Sequence, residues 1–271
     1  GRLRKLTIGS LLGSWLLGKK YKPGHLEGDF YYPVLGFGEI FNAIGSEIEQ
    51  KNIFLNMPIV KINHSDKRIN SIESIDGQRI ELNDLVSTIP IHALAKAMVP
   101  PPPDHILYEI EMLEYRSIMI CVLFLDIERF SENASIYFPD KECPFTRIYE
   151  PKNRSEEMAP NGKTCIVVEI PVGTDTINIG MSKDSVYNMV VQYLTEKNLL
   201  KKKSIVNYNI VNLNYAYPII YKDTEISLKK IFSYFQEFEN LYLIGRNADF
   251  EYLHTHHIID RSEKLVNRMV S

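Results

Sequence analysis

Apolar and polar residues change their period several times along this chain, and each change marks an element. Glu39 to Glu49 carries Ile40, Ala43, Ile44 and Ile48 at the spacing of one helix face. Ile53 to Ile62 is apolar and strand-like. Ile69 to Ile75 and Gln78 to Leu82 flank Asp76-Gly77, a hairpin signal. Leu85 to Ile89 predicts a buried strand closing on Pro90, and His92 to Met98 a helix. Pro100 to Pro103 can continue neither a helix nor a central strand, so it predicts a connector between domains. Ser117 to Leu125 (SIMICVLFL) is continuously apolar, as a central strand is. Ser135 to Phe138, Thr146 to Tyr149, Lys163 to Ile170 and Ile205 to Ala216 predict further strands. Ser182 to Glu196 has helical spacing through Val186, Met189, Val190 and Leu194. Phe238 to Gly245 reads as a strand ending in glycine, and a last helix runs from about His257 to Met269. The pattern is α/β with an antiparallel-rich middle.

A chain of 271 residues holds one large or two modest domains. A net charge of -3 gives no basic footprint, which argues against nucleic acid as a partner. The 16 Tyr and 12 Phe against one Trp suit polar or planar ligands; a general bias toward Ile, Asn, Lys and Tyr explains them equally well. Cys121, Cys143 and Cys165 are too sparse for a disulfide framework or a metal cluster, so a reducing cytoplasm is the default. At the start, Arg2, Arg4 and Lys5 precede an apolar run, Leu6 to Leu17, and Lys19, Lys20 and Lys22 follow it. The run is shorter than the roughly 20 residues a spanning helix needs and lacks a small-residue cleavage site. A helix packed on the protein is favoured over an interfacial helix at a membrane surface. The start without Met points to a fragment.

Motif searches are mostly negative: there is no P-loop, GxSxG, HExxH or CxxC. Gly36-Phe37-Gly38 lacks the third glycine of a dinucleotide fingerprint and does not follow a clean strand. His254, His256 and His257 lack supporting carboxylates or cysteines, so no metal is expected.

Phe30-Tyr31-Tyr32-Pro33 with Gly36-Phe37-Gly38-Glu39-Ile40 resembles the YYPxGGFGEI segment of the FAD-dependent amine oxidase and protoporphyrinogen oxidase superfamily. Leu55 to Ile62, the hairpin at Asp76-Gly77, Ser87-Thr88-Ile89-Pro90 and Leu241 to Arg246 follow in that superfamily's order. Two segments resemble its UDP-galactopyranose mutase branch. They are Pro144 to Lys152, similar to PYTRxxEhK, and Gly245 to Tyr252, similar to GRxxxYxY; Tyr217-Pro218-Ile219 matches YPI. The glycine-rich opening turn that holds a pyrophosphate in such proteins is absent from this sequence, and His254 stands where the mutase branch carries Asp.

The resemblance implies a partial FAD-binding, Rossmann-like domain over residues 1–98, a mixed or antiparallel-sheet substrate domain over 99–234, and a return to the flavin domain over 235–271. It implies FAD contacts at Ile59, Thr88, Pro90, Gly245 and Arg246, and substrate contacts at Arg147, Tyr217 and Tyr252. Guanidinium and phenol donors suit a diphosphate or another anionic group. Read singly, Arg147 is an ordinary ion-pair partner for Glu150 or another acid, and Tyr252 a core residue. No side-chain nucleophile or acid–base pair is expected, because a flavin carries its own chemistry. Three functions follow: an FAD-dependent oxidoreductase, a flavin-dependent nucleotide-sugar mutase, or a non-catalytic half of a split flavoprotein.

Overall fold

A computed structural model of the chain describes residues 31–173, 177 and 180–270. The basic-flanked run at residues 2–22 lies outside them. Helix α1 (Gly38–Ser46) forms where its spacing predicts, and none of its residues is buried. The strand expected from Ile53 is shorter, because the chain turns through a 3-10 segment at Gln50–Asn52 and leaves Phe54 and Leu55 exposed. β1 (Ile59–Ser65), β2 (Arg68–Ser74) and β3 (Arg79–Glu81) make an antiparallel meander. Gly77 turns β2 into β3 at φ 82°, as the Asp76-Gly77 pair predicts. The β1–β2 turn is Asp66-Lys67, at φ 47° and 60°. Two left-handed residues in a two-residue turn match the twist of the flanking strands, and no glycine advertises them.

β4 (Leu85–Ser87) leaves the meander, α2 (Ile91–Ala97) follows, and β5 (Met98–Val99) returns to pair parallel with β1. The sheet order is β3-β2-β1-β5. The proline segment does break the chain, but it also launches helix α3 (Asp104–Glu111). Pro103 fixes the backbone before the first turn, and Asp104 sits at the positive end of the helix.

The largest sheet uses β6 (Glu114–Leu125), β7 (Ser135–Tyr137), β8 (Arg147–Tyr149), β9 (Thr164–Pro171) and β10 (Ile205–Ile219). All its pairings are antiparallel, in the order β10-β6-β9-β8-β7. In β6, Met119, Cys121, Leu123 and Leu125 are fully buried, while Ile120, Val122 and Phe124 alternate onto a more open face. The continuous apolar run is therefore buried on one side only. Helix α4 (Lys183–Glu196) covers that side with Val186, Val190, Val191 and Leu194, each burial contributing about 1.5–3 kcal/mol. The Ser182 hydroxyl accepts from the Ser185 N–H at 3.2 Å and caps α4, a contribution of about 1 kcal/mol. Pro218 is tolerated because β10 lies at the sheet edge.

A second core joins Ile62 of β1, Ile69 of β2, Ile91 and Leu94 of α2, and Ile106 and Ile110 of α3. Helix α5 (Thr224–Phe235) adds Ile231 and Phe235 to it, and β11 (Leu241–Leu243) adds Leu241. β11 pairs parallel with β4, and helix α6 (Thr255–Val270) ends the described chain. The architecture is mixed α/β, with one antiparallel sheet, one mixed sheet and one short parallel pair. Among the described residues, no helix is long and apolar enough to cross a membrane.

Candidate functional site

The short parallel pair delivers the chain to a turn. Gly245, one residue beyond β11 and Ile244, has φ 106°, a left-handed conformation natural only to glycine. A side chain there would meet only Thr88, whose Cβ lies 3.9 Å from the ideal Cβ position. The Asp249 N–H donates to the Gly245 carbonyl at 2.8 Å, and the Gly245 N–H donates to Asp249 Oδ2 at 3.2 Å. Arg261 of α6 holds the same carboxylate oxygen at 2.8 Å. Burial still outweighs these donors and raises the Asp249 pKa above its ordinary value. Phe250, fully buried, is held at φ 49°, a backbone cost of order 1–3 kcal/mol that its packing must offset.

Tyr115 of β6 anchors the turn from the opposite side. Its hydroxyl donates to the Asn247 carbonyl at 2.7 Å, and its ring meets His92, Tyr215 and Phe250 with centroids 5.7, 5.2 and 4.8 Å away. Burial pushes this hydroxyl up to about 12. Burial also lowers the His92 pKa, which favours the neutral ring.

Arg246 projects from the turn over two tyrosines. Its Cζ lies 4.8 Å from the Tyr217 ring centroid and 4.3 Å from that of Tyr252. The two rings are nearly parallel, with centroids 5.7 Å apart. Arg246 Nε and Nη2, Asn247 Oδ1 and His92 Nδ1 are the buried side-chain polar atoms without a hydrogen-bond partner among the described residues. All four lie on the 246–247 turn or one ring contact from Tyr115, which holds it. Buried polar groups are nearly always paired, so the unpaired atoms of Arg246 and Asn247 make this turn a candidate ligand site; the His92 ring also lies against the backbone of Ile110 and Leu113.

Arg147 sits on the open face of the large sheet, but not as an isolated cation. It is paired in register with Glu169 of β9, and its Nε donates to Glu169 Oε2 at 3.0 Å while Nη2 reaches Oε1. Its Cζ lies 5.3 Å from the Tyr149 ring centroid and 5.9 Å from that of Tyr137. The single-residue reading of Arg147 as an ion-pair partner is therefore right in kind, but the acid is not Glu150. Glu150 is buried and accepts from the Phe130 and Ser131 N–H groups, both at 2.9 Å, and from the Thr164 hydroxyl at 2.6 Å. Lys152, 3% exposed, is tied to Glu128 and to the Lys163 carbonyl. Glu150 and Lys152 of the PYTRxxEhK-like segment thus form a structural knot, while Arg147 and Tyr149 lie on the open face of the sheet.

Tyr217 joins the two groups. Burial, then the charge of Glu169, raises its hydroxyl pKa, and Arg147 and Arg246 both act on it in the opposite direction. The structure thus brings Arg147, Tyr217, Arg246 and Tyr252 together, and sets Gly245 beside Thr88. Pro90 caps the N-terminus of α2, directly after the exposed Thr88 and Ile89. Tyr252, 47% exposed, is a surface residue and not core. Ile59 packs beside the second core, in a different sheet from β11, and among the described residues no hydrogen bond or ring contact carries it to the Gly245 turn. Glu169, Tyr115, His92 and Asn247 belong to the same neighbourhood, and their residue pattern alone does not announce them. His254, His256 and His257 form a ring cluster at the start of α6, with His256 and His257 centroids 4.0 Å apart. Among the described residues, no group of His, Cys, Asp and Glu is arranged to hold a metal.

Comparison with known proteins fits this geometry. A crystal structure of reduced UDP-galactopyranose mutase superposes with a TM-score of 0.71 at 18% identity, covering 82% of this chain and 47% of that one. A structure described as a protoporphyrinogen oxidase, from Exiguobacterium sp. 255-15, gives 0.68 at 17% identity over 91% of this chain and 52% of that one. A fatty acid isomerase from P. acnes that produces CLA gives 0.59 at 14% identity, covering 98% and 57%. At these identities the likeness is one of fold, and the chain spans about half the length of these structures. No curated protein sequence matches the chain. The family model for UDP-galactopyranose mutase matches residues 31–208, more than half of the chain, and the chain therefore belongs to that family.

Proposed function

We propose that this chain forms the substrate-facing part of an FAD-dependent oxidoreductase. One observation carries the reading: unpartnered buried polar atoms gather at Arg246 and Asn247, beside a left-handed glycine and an exposed Thr88. A planar, polar-edged cofactor answers all of these, because it offers acceptors to a guanidinium and tolerates close backbone approach. Gly245, Arg246, Thr88 and Pro90 would hold FAD. When bound, FAD supplies the electron or hydride transfer. The chain's own residues orient the substrate: Tyr217 and Tyr252 present ring faces and hydroxyls, and Arg147 a positioned guanidinium. Neither a nucleophile nor an acid–base pair is required of them.

The test is flavin content in the gene product purified whole. The wild type is expected to retain FAD. Gly245→Val forces a β-branched residue to φ 106° and is expected to lose most of it while keeping a cooperative unfolding transition. A folded Gly245→Val protein with full flavin content would refute the reading. A second reading, nucleotide-sugar isomerisation, is favoured by the match of residues 31–208 to the mutase family. It requires UDP-sugar binding that Arg147→Ala abolishes, measured by calorimetry.

A further inference from the structure

Successive carbonyls of the Gly245 turn are each taken by a donor. The Gly245 carbonyl accepts from the Asp249 N–H at 2.8 Å, and the Arg246 carbonyl from the Glu251 N–H at 3.1 Å. Both donors come from the turn itself. The Asn247 carbonyl takes its donor from far along the chain: the Tyr115 hydroxyl of β6, at 2.7 Å and 132 positions away. A peptide unit is planar, so holding this carbonyl fixes the whole plane between Asn247 and Ala248. Arg246, directly before it, lies against the rings of Tyr217 and Tyr252. The Tyr115 ring is itself packed by several elements. Tyr115 stands opposite Pro218 of β10, next to a break in the strand register between Leu213 and Tyr217. Tyr215 lies in that break and brings its ring to 5.2 Å from that of Tyr115; such irregularities re-aim side chains. His92 of α2 packs at 5.7 Å and Phe250 of the turn at 4.8 Å. All of these rings meet edge to face, the arrangement aromatic pairs favour. The large sheet and α2 therefore set where the hydroxyl stands.

We infer that Tyr115 is a positioning residue for the cofactor: its hydroxyl locks the Asn247 peptide and so holds the Gly245–Arg246 turn in a fixed relation to the large sheet. This rests on the reading of that turn as an FAD site. Tyr115 acts through the Asn247 carbonyl, and its effect is pre-organisation. With the hydroxyl in place, the turn is already ordered when a ligand binds. Without it, the peptide plane gains freedom, and binding must bear the cost of ordering it. The ring alone cannot replace this, because ring packing orients Tyr115 and not the carbonyl of Asn247.

The experiment is titration of FAD, followed by flavin fluorescence, into the gene product purified whole and stripped of flavin. Tyr115→Phe keeps the ring and removes the hydroxyl. It is expected to bind FAD about five- to ten-fold more weakly, as the loss of one hydrogen bond entails. At saturating FAD its visible circular dichroism, which reports how the flavin is held, is expected to differ from that of wild type. Tyr208→Phe is the control: it removes a hydroxyl of β10 that bonds Asp184 of α4, away from the turn, and is expected to leave affinity and spectrum unchanged. Should Tyr115→Phe fail to fold, Tyr115→Met, which also lacks the hydroxyl, is expected to lose at least as much affinity. A folded Tyr115 variant with wild-type affinity would overturn the inference. So would a loss of affinity with an unchanged spectrum at saturation, or an equal loss in Tyr208→Phe, since either marks a general effect of lowered stability. Gly245→Val separates this inference from the site reading. If Gly245→Val loses FAD while Tyr115→Phe does not, the turn stands as the FAD site and the role of Tyr115 fails. If neither variant weakens FAD binding, the site reading itself fails.

Discussion

Asn240 should be among the costliest single residues to lose, because it joins the strand that carries the candidate site to the rest of the second core. It is 1% exposed and lies immediately before β11. Its Oδ1 accepts from the Ile69 N–H at 2.8 Å, and its Nδ2 donates to the carbonyls of Ile69 at 2.9 Å and Asn83 at 2.6 Å. The side chain thus pairs with β2 as an additional strand residue would. In Asn240→Ala, the Asn83 carbonyl, on an exposed residue, can turn to water. Ile69, 0% exposed, cannot. A buried donor and acceptor left unpaired cost about 1–3 kcal/mol each, so the expected loss is about 3 kcal/mol. Asn240→Asp keeps the acceptor but aims a carboxylate at two carbonyl oxygens, so it should cost more than Ala. Urea unfolding measures both, as a shift in midpoint at unchanged slope. A loss below about 1 kcal/mol for Ala, or an Asp variant milder than Ala, would refute the reasoning.

Three further outcomes are expected. Lys67→Gly relieves a left-handed lysine at φ 60° and gives up only the exposed Lys67–Glu237 pair; chemical denaturation should show a stability gain of up to about 1 kcal/mol. Lys152, and then the Gly162 N–H, hold the Glu128 carboxyl below its ordinary value of 4.5. The stabilisation is present above the unfolded pKa and lost as pH falls through the lower folded one, so the stability gap between wild type and Glu128→Gln should shrink between about pH 5 and pH 3. Burial pushes the Tyr115 hydroxyl up to about 12. Its contribution is therefore full below the unfolded value near 10 and lost as pH rises toward 12. Tyr115→Phe should be less stable than wild type at neutral pH by about 1 kcal/mol, and alkaline denaturation should show that difference narrowing above about pH 10.

Local signals were legible where local physics sets the structure. Ser117 to Leu125 lies wholly within β6, and Asp76-Gly77 turns β2 into β3. Non-local physics hid the rest. The Asp66-Lys67 turn contains no glycine, and its left-handed backbone is imposed by the β1–β2 pairing. Helix α3 begins at prolines that read as a spacer; α5, absent from the elements expected above, does open on local signals, Asp223 at its N-cap and Glu225 in its first turn. At the candidate site, the resemblance to known motifs names Arg147, Tyr217, Arg246 and Tyr252, because motif residues keep their order along the chain; Arg246, Tyr217 and Tyr252 lie in ring contact. Glu169 was not legible, since only the β8–β9 register brings it to Arg147, 22 residues away. Tyr115 was hidden for the same reason, as it reaches Asn247 across 132 positions.

Hydrogen–deuterium exchange on the gene product purified whole, with and without excess FAD, tests the central claim most directly. Flavin contact at the Gly245 turn predicts new protection confined to Leu85–Pro90 and Leu241–Tyr252, and Arg246→Ala should weaken it. Protection that appears instead on α4 or α5, or no change anywhere, would contradict the assignment of this turn to the cofactor.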